Sequence, residues 1–507
     1  MPEPFSYDVV EYPSAPLPQM HPGHLFAVAR LYGFDAAPVE RCRYLEIGCG
    51  GGTHLIACAY GVPDATFVGI DLSSAAIDRG NRMIAELGLP NVTLHAADLT
   101  RWEPPDQRFD YVVSHGLYSW VPARVRDALL GLVARCLPPT GVGYVSYNVY
   151  PGCFLRRMVW EMMRHHTAGF DDPRQKTEQA IEFVNFLAAG QPAKPDPGLA
   201  AFAKELNDIK ERNTGLLYHD DLCETNEPVY FHQFAAHAGR FGLRFVAEAD
   251  PMVMATRAMP PPVAHVLDGM AEQDVLDKEQ YLDFLRLRRF RQTLVSTDGR
   301  APRKEPDPAA VSVLAASGRP KADSDPVDLS PGVGVTFSTG AGAAIRTDSD
   351  IAKAALTVLT RRWPGRVWFR DLVGLAARDL RREPTPADTD TLADLMVRVW
   401  TNGLVELHGH VPRYVEVVSE RPVASPLARI QARTGPLAVT MLLTPMLFDD
   451  APSRRMLQLL DGTRTREQIA EEMESAFAPE SRPDPAALRA GIDQRLERMA
   501  RGGLLVG

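Results

Sequence analysis

The first 150 residues alternate between short apolar runs and longer amphipathic segments. The apolar runs predict five strands, over residues 44–47, 66–70, 92–95, 109–114 and 142–147. Helical spacing of apolar residues predicts intervening helices over 53–60, 74–87 and 123–137, with Gly88 and Pro90 ending the second. Strands that alternate with helices indicate an α/β fold with a parallel sheet and helices on both faces.

Residues 151–215 are mostly helical and interrupt this alternation. A helix over 232–241, Gly242 and a strand over 243–249 then indicate that the sheet resumes. We therefore predict a core over 1–150, and a unit over 151–297 that completes it. In that unit a helical insertion lies over the open edge, where a lid is typical. A further helix is predicted over 278–291.

The C-terminal part contains a short internal repeat. Residues 395–407 (LMVRVWTNGLVEL) and 496–506 (LERMARGGLLV) each read as helix, Gly-containing turn and short strand, with upstream helices over 369–378 and 466–477. Two winged-helix-like modules are predicted, over 351–425 and 426–507. Residues 298–350 are expected to comprise a linker and a small hairpin. The linker, over 298–333, is rich in Pro, Ala, Asp and Ser, and the hairpin spans 335–347.

Composition and charge exclude several classes of protein. The 507 residues are 45% hydrophobic, and 55 Lys+Arg face 64 Asp+Glu, so the chain is globular in balance and carries no global basic field. Without such a field we expect no nucleic-acid partner. We also expect no membrane insertion, because the apolar stretches are too short to span a bilayer and the acidic N-terminus lacks the features of a signal peptide. Six cysteines without a CxxC pair favour a cytoplasmic location. The adjacent pair His165 and His166 diverges on a helix, so no metal site is expected.

The sharpest chemical pattern lies at the end of the first strand, where Y-L-E-I-G-C-G-G-G-T spans residues 44–53. Gly48 and Gly50 allow a ligand to approach the backbone closely. Asp71 ends the second strand and is placed to accept both hydroxyls of a ribose, while Asp98 ends the third. These strand ends should meet at one crevice.

The acid at Glu46 separates two classes of nucleotide site. A dinucleotide site would place a pyrophosphate beside it, and Thr53 stands where the last glycine of that motif would fall. S-adenosylmethionine has a sulfonium, an ammonium and no phosphate, so it suits Glu46 at its methionyl end and Asp98 at its adenine. The predicted cofactor site consists of Glu46, Gly48, Cys49, Gly50, Asp71, Leu72, Asp98, Leu99, Ser114 and His115.

Several motifs resemble a known family. E-I-G-C-G-G-G (46–52), G-I-D-L-S (69–73) and A-A-D-L (96–99) resemble class I S-adenosylmethionine-dependent methyltransferases, which have a Rossmann-like sheet. Narrower matches lie at 115–122, 146–152, 226–234, 284–294 and 459–464. They resemble bacterial methyltransferases with a methyltransferase regulatory domain, a family that includes rickettsial protein-lysine methyltransferases. The resemblance implies a lysine side chain of a protein as the acceptor.

Aromatic residues follow the fourth and fifth strands, where an acceptor must lie. Rings can hold an ammonium group and exclude water, so Tyr118, Trp120, Tyr147 and Tyr150 are predicted to line the acceptor pocket. Asn148 is predicted to accept a hydrogen bond from the amine, and Tyr12 and His21 to close over the cofactor. A small-molecule N- or O-methyltransferase and a non-catalytic cofactor-sensing adaptor remain alternatives, and a homodimer is compatible with the sequence.

Overall fold

A seven-stranded mixed sheet organises the first 300 residues of this computed structural model, which describes residues 9–10, 12, 14–104, 108–257, 259–475 and 484–507. The strands are β1 (Arg43–Ile47), β2 (Thr66–Asp71), β3 (Val92–Ala96), β4 (Tyr111–Ser114), β5 (Val142–Asn148), β6 (Arg244–Glu248) and β7 (Phe290–Ser296). Their order across the sheet is β3-β2-β1-β4-β5-β7-β6. Strands β1 to β5 are parallel, and β7 runs antiparallel between β5 and β6. The predicted Rossmann-like α/β fold is confirmed.

Helices cover both faces of the sheet because its strands are apolar on both sides. One hydrophobic core joins the sheet to helices Pro22–Leu31 and Thr53–Gly61 and to Ile77 of helix Ser74–Leu87. The other joins it to Ala123–Cys136 and Phe231–Arg240. All carboxyl ends of β1 to β5 therefore open at one edge, as a parallel arrangement requires.

The helix predicted over 278–291 forms over most of its length, but its last two residues belong to strand β7, which was not predicted from the sequence. The helix is Val275–Arg286, Leu287 adopts a φ of 46°, and the chain then extends as β7. The charged local sequence favours a helix, but Arg291 is fully buried in the strand and paired with Glu248 at 2.6 Å and Asp283 at 2.9 Å. These two partners come from β6 and the preceding helix, so tertiary pairing overrides the local preference.

The predicted helical insertion is present between β5 and β6 and has a hydrophobic core of its own, centred on Val159, Met163 and Leu206. Its helices are Phe154–His166, Pro173–Ala189, Pro197–Lys210 and Thr214–Leu216, the last continuing into a π-helical turn over Leu217–Asp221. Helix Pro261–Gln273 follows β6. The domain boundaries drawn from the sequence stay predictions.

The segment expected to be a linker carries structure. Within 298–333, residues Ala315–Ser317 form the central strand of a three-stranded sheet, between Val367–Trp368 and Glu406–His408. A composition rich in small residues suggested a linker, but here Ala315 and Ala316 are buried. The hairpin of Val335–Ser338 with Ala344–Thr347 forms as expected and gains a third strand, Lys321–Ala322.

The two C-terminal modules repeat one plan of three helices around a small sheet. The helices are Asp350–Arg362, Phe369–Asp379 and Pro386–Thr401 in the first module, and Ala451–Leu459, Arg466–Ser475 and Pro485–Arg501 in the second; residues 476–477 of the predicted helix lie outside the described part. In the second module the sheet is reduced to the bridges Val423–Asp461 and Ala424–Leu505. Helix Pro426–Thr434 and the strand pair Leu437–Val439 and Pro445–Leu447 complete this region.

Across the described ranges, no helix combines the length and the apolar character needed to cross a membrane.

Candidate active site

The turn after β1 shapes one side of a large cavity. Gly48 and Gly50 have φ values of 80° and 54°, in the left-handed region that favours glycine. The backbone N–H groups of Gly48 and Cys49 both donate to the carbonyl of Ile70 at the end of β2, at 2.8 and 3.1 Å. The glycine turn is therefore fixed against the neighbouring strand and leaves its backbone open to a ligand.

Asp71 joins the second strand end to the glycine turn. Its Oδ2 accepts a hydrogen bond from the backbone N–H of Gly50 at 2.8 Å, and its Oδ1 accepts one from Ser73 at 2.8 Å. The carboxylate lies at the cavity wall. This anchoring preorganises the acid beside the place where a ribose is predicted.

Glu46 is the most unusual group in the site. Its side chain is 6% exposed, and within the described part of the chain its Oε2 has no hydrogen-bond partner. Burial, with a smaller contribution from the negative charge of Asp71, raises the pKa of Glu46 to about 8. A buried carboxylate without a partner is costly to ionise, and a bound cation would remove that cost. The methionyl ammonium and sulfonium of S-adenosylmethionine fit this requirement.

Asp98 occupies the third strand end and is exposed. Its Oδ1 accepts hydrogen bonds from the backbone N–H and the hydroxyl of Thr100, at 2.9 and 2.8 Å, and these bonds lower its pKa. It is therefore ionised at neutral pH and available for a polar group such as an adenine amine.

The predicted cofactor residues meet at one cavity of about 1730 Å³. Its lining includes Glu46, Gly48, Cys49, Gly50, Asp71, Leu72, Asp98, Leu99 and His115. Ser114 instead lies fully buried in β4, one residue before the strand opens to the cavity. The His115 side chain is held by a 2.9 Å hydrogen bond between Nδ1 and the Tyr144 hydroxyl, and burial lowers its pKa to about 4.

Of the predicted acceptor residues, Trp120 and Asn148 line this cavity. The backbone N–H of Asn148 donates to the Ser119 hydroxyl at 2.8 Å, and its side-chain Nδ2 donates to Asn226 Oδ1 at 3.3 Å. These contacts fix the amide at the end of β5, in the wall of the cavity.

The expectation that Tyr147 and Tyr118 line the acceptor pocket is corrected by their placement in the core. Tyr147 is fully buried, with its ring stacked on Phe234 at 3.9 Å and its hydroxyl 2.9 Å from that of Thr293. Tyr118 is 2% exposed and bonds through its hydroxyl to His237 at 2.8 Å. Side chains alternate along β5, so the register that points Asn148 to the cavity turns Tyr147 toward helix Phe231–Arg240.

Tyr150 lies at the surface beside the cavity and not in its lining. Its ring stacks on Phe154 with centroids 4.3 Å apart. His21, expected to close over the cofactor, packs against His410 of the first C-terminal module, with ring centroids 5.8 Å apart. Burial and the nearby Arg366 lower the pKa of His21.

The N-terminal segment does reach the cavity. Tyr12, Ser14 and Leu17 line it. The Ser14 hydroxyl lies 2.9 Å from that of Thr53, at the start of the helix after the glycine turn, and the Leu17 N–H donates to His54 at 3.3 Å. This segment therefore crosses the cavity beside the predicted methionyl end.

A further part of the cavity lining, called the charged wall below, was not predicted from the sequence. It is built from the insertion, the π-helical turn and β7, and consists of Cys153, Arg156, Arg212, Asp220, Asp221, Asn226, Arg289 and Phe290. Arg156 binds Asp221 through two hydrogen bonds of 2.7 Å, and Arg212 binds Asp220 at 3.0 Å. Burial and the adjacent Asp221 raise the pKa of Asp220 to about 6. These residues are scattered through 140 positions, and no local pattern marks them.

Three family models match separate parts of the chain. Residues 45–141 match a methyltransferase domain, residues 213–296 match a predicted methyltransferase regulatory domain, and residues 420–482 match the PKMT C-terminal winged helix domain. The first covers the glycine turn and both strand-end acids. The second covers β6 and β7, and the third confirms a winged-helix fold in the second C-terminal module.

Known proteins match over longer stretches. Protein RP789 of Rickettsia prowazekii is 36% identical over 57% of this chain, which spans about half (52%) of that relative's length. Protein RP028 of the same organism is 32% identical over 46% of this chain and 93% of its own length. The solved structure of PKMT2 from Rickettsia typhi is similar with a TM-score of 0.85 and 25% identity, over 98% of this chain and all of that one. A second structure of that protein, in complex with AdoHcy, gives a TM-score of 0.84.

Proposed function

Since the chain belongs to the S-adenosylmethionine-dependent methyltransferases with a methyltransferase regulatory domain and a PKMT winged helix domain, we propose that it methylates lysine side chains of a protein. The observation that carries the proposal is the buried carboxylate of Glu46, whose Oε2 has no hydrogen-bond partner among the described residues. It calls for a cationic ligand without phosphate. The complex of a similar solved structure with AdoHcy supports the same cofactor.

Each predicted cofactor residue has a role in this proposal. Glu46 holds the positive methionyl end, the carboxylate of Asp71 binds the ribose hydroxyls, and Asp98 accepts from the adenine amine. The backbone of Gly48 and Gly50 leaves room for the sulfur-bearing chain. When bound, S-adenosylmethionine supplies a methyl carbon already activated by the sulfonium, so the protein needs mainly to align the acceptor.

The acceptor amine must lose a proton before it can react, because lysine is almost wholly protonated at pH 7. A buried cavity that already holds a cationic cofactor lowers the amine's pKa. Trp120 offers a ring against which an ammonium group can bind, and Asn148 offers an amide oxygen as acceptor of an amine hydrogen bond. Asp220 of the charged wall, with a pKa of about 6, can hold a proton that leaves through water.

The size of the cavity favours a polypeptide acceptor over a small molecule. Pockets for drug-sized ligands occupy roughly 300–1,000 Å³, whereas this cavity measures about 1730 Å³ and opens between the insertion and the core. The charged wall lines the same cavity with residues separate from the predicted cofactor site, so we expect it to border the acceptor. A lysine side chain with part of its backbone would fill such a space.

The test is methyl transfer from labelled S-adenosylmethionine to three acceptors offered separately: cell protein, N-acetyl-lysine methylamide and a metabolite extract. Label in protein bands, with methyl-lysine identified by mass spectrometry, is the expected result. Label only in metabolites would favour a small-molecule methyltransferase. Tight cofactor binding with no product from any acceptor would favour a cofactor-sensing adaptor. The monomeric or homodimeric state, which stays a prediction, is measured in parallel by sedimentation.

A further inference from the structure

Five aromatic rings form a connected strip at the surface beside the cavity. The rings belong to Phe154, Tyr150, Tyr230, Phe284 and Tyr281 and are called the aromatic strip below. Successive ring centroids lie 4.3, 5.6, 6.2 and 5.7 Å apart along this order. The rings come from three separate segments of the chain, around residues 150–154, 230 and 281–284, so their contact is made by the tertiary fold.

Three of the five rings are strongly exposed, whereas Tyr150 and Tyr230 are half-buried between them. Phe154 is 54% exposed, Phe284 42% and Tyr281 46%, and the neighbouring Leu285 and Leu287 are 54% and 64% exposed. Large exposed apolar patches on a protein surface typically mark interaction sites.

The strip adjoins the cavity through neighbouring residues of the chain. Cys153, which directly precedes Phe154, lines the cavity, and so does Phe290 at the start of β7. The segments that carry them are held together at Gly152, whose N–H donates to the Arg288 carbonyl at 3.1 Å. A Cβ at Gly152 would lie only 2.1 Å from the Leu287 carbonyl oxygen, so this close contact requires glycine.

We propose that the aromatic strip is the docking surface for apolar residues that flank the acceptor lysine in the substrate polypeptide. This inference rests on the proposed function. A polypeptide whose lysine enters the cavity must cross its rim, and the rim beside Cys153 and Phe290 leads onto the strip. Exposed aromatic side chains are rigid and have a large contact area, so they give affinity at a low cost in conformational entropy.

Peptide binding to the full-length protein loaded with S-adenosylhomocysteine tests this surface without requiring turnover. Two fluorescein-labelled peptides are compared by anisotropy: one with a lysine flanked by Leu and Phe, and one with a lysine flanked by Ser and Gly. We expect the apolar-flanked peptide to bind about tenfold more tightly, the effect typical of one good interface anchor.

Variants of the aromatic strip then test whether the preference for the apolar-flanked peptide arises there. The double variant Tyr281→Ser/Phe284→Ser, and separately Phe154→Ser on a different helix, should remove most of the difference between the two peptides. Phe186→Ser is the matched control, because Phe186 is 73% exposed on helix Pro173–Ala189 and lies outside the strip. It should keep the full preference. An unchanged affinity for S-adenosylhomocysteine confirms that each variant is folded.

Three results would overturn the proposal. The first is equal binding of the two peptides, or a preference that survives in both strip variants. The second is a loss of dimer mass in sedimentation on mutating the strip, which would make it a contact between copies of this chain. The third is a strip-dependent binding to phosphatidylglycerol vesicles, which would make it a membrane-binding surface. Failure of the proposed function would appear elsewhere, as absence of methyl transfer to any acceptor.

Discussion

Replacing Glu46 by Gln should stabilise the protein without cofactor and weaken its binding of S-adenosylmethionine. The pKa of this carboxyl rises from 4.5 to about 8 on folding, chiefly by burial. A carboxyl whose pKa is raised on folding contributes stability that is present below pH 4.5 and is lost as the pH rises to about 8, since the unfolded chain ionises first. The isosteric amide of the glutamine variant cannot ionise, so the variant does not lose stability in this way as the pH rises.

The expected magnitude follows from that pKa. Each pH unit in this window removes about 1.4 kcal/mol from the free energy of unfolding, so about 3 kcal/mol is lost by pH 7. Thermal unfolding of both proteins without cofactor, from pH 5 to pH 8, measures it. As the pH rises, the melting temperature of the variant should exceed that of wild type by a growing margin. In the unfolding transition of the core domain, this margin should be about 2–4 °C for each kcal/mol of difference in the free energy of unfolding. The exposed Glu103→Gln is the control and should follow wild type.

Cofactor binding should respond in the opposite direction. The bound cation requires the ionised carboxylate, so the affinity of wild type should rise by up to about tenfold per pH unit below pH 8, with proton release. Glu46→Gln should bind about ten- to a hundredfold more weakly, because a charged hydrogen bond becomes a neutral one. Calorimetry in buffers of different ionisation enthalpy measures both effects. The same pH profile in both proteins would refute the assignment of a protonated Glu46 and of its cationic ligand.

Three further substitutions test the site. Asp71→Ala should abolish cofactor binding in calorimetry, since the carboxylate both anchors Gly50 and faces the ribose, and an unchanged affinity would contradict that placement. Asn148→Ala should spare cofactor affinity but reduce turnover in a methyl-transfer assay; a loss of cofactor affinity would move Asn148 out of the acceptor pocket. Tyr147→Phe should lower stability by about 1 kcal/mol through the lost bond to Thr293 and leave the kinetics unchanged, whereas a fall in kcat alone would return Tyr147 to the catalytic residues.

The meeting of the predicted cofactor residues at one cavity could be predicted from local sequence alone. Glu46, Asp71 and Asp98 each lie at or near the end of a strand that is legible from a short apolar run, and in a parallel sheet such ends must open at one edge. No information about distant contacts is needed for that conclusion. The internal repeat in the C-terminal modules could be predicted in the same way, because each helix–turn–strand unit is a continuous stretch of sequence.

The surroundings of the predicted acceptor residues depend on contacts between distant segments. The helix predicted over 278–291 runs into the start of β7 because the charged residues before Arg291 suit a solvated helix. Only Glu248 and Asp283, which come from other elements, allow Arg291 to be buried in the strand. Tyr147 is buried because helix Phe231–Arg240 covers the face of the sheet to which its side chain points. The alternation of side chains along β5 does not reveal which face of the sheet is covered. Likewise the charged wall and the aromatic strip join segments far apart in the chain, so their chemistry exists only after folding.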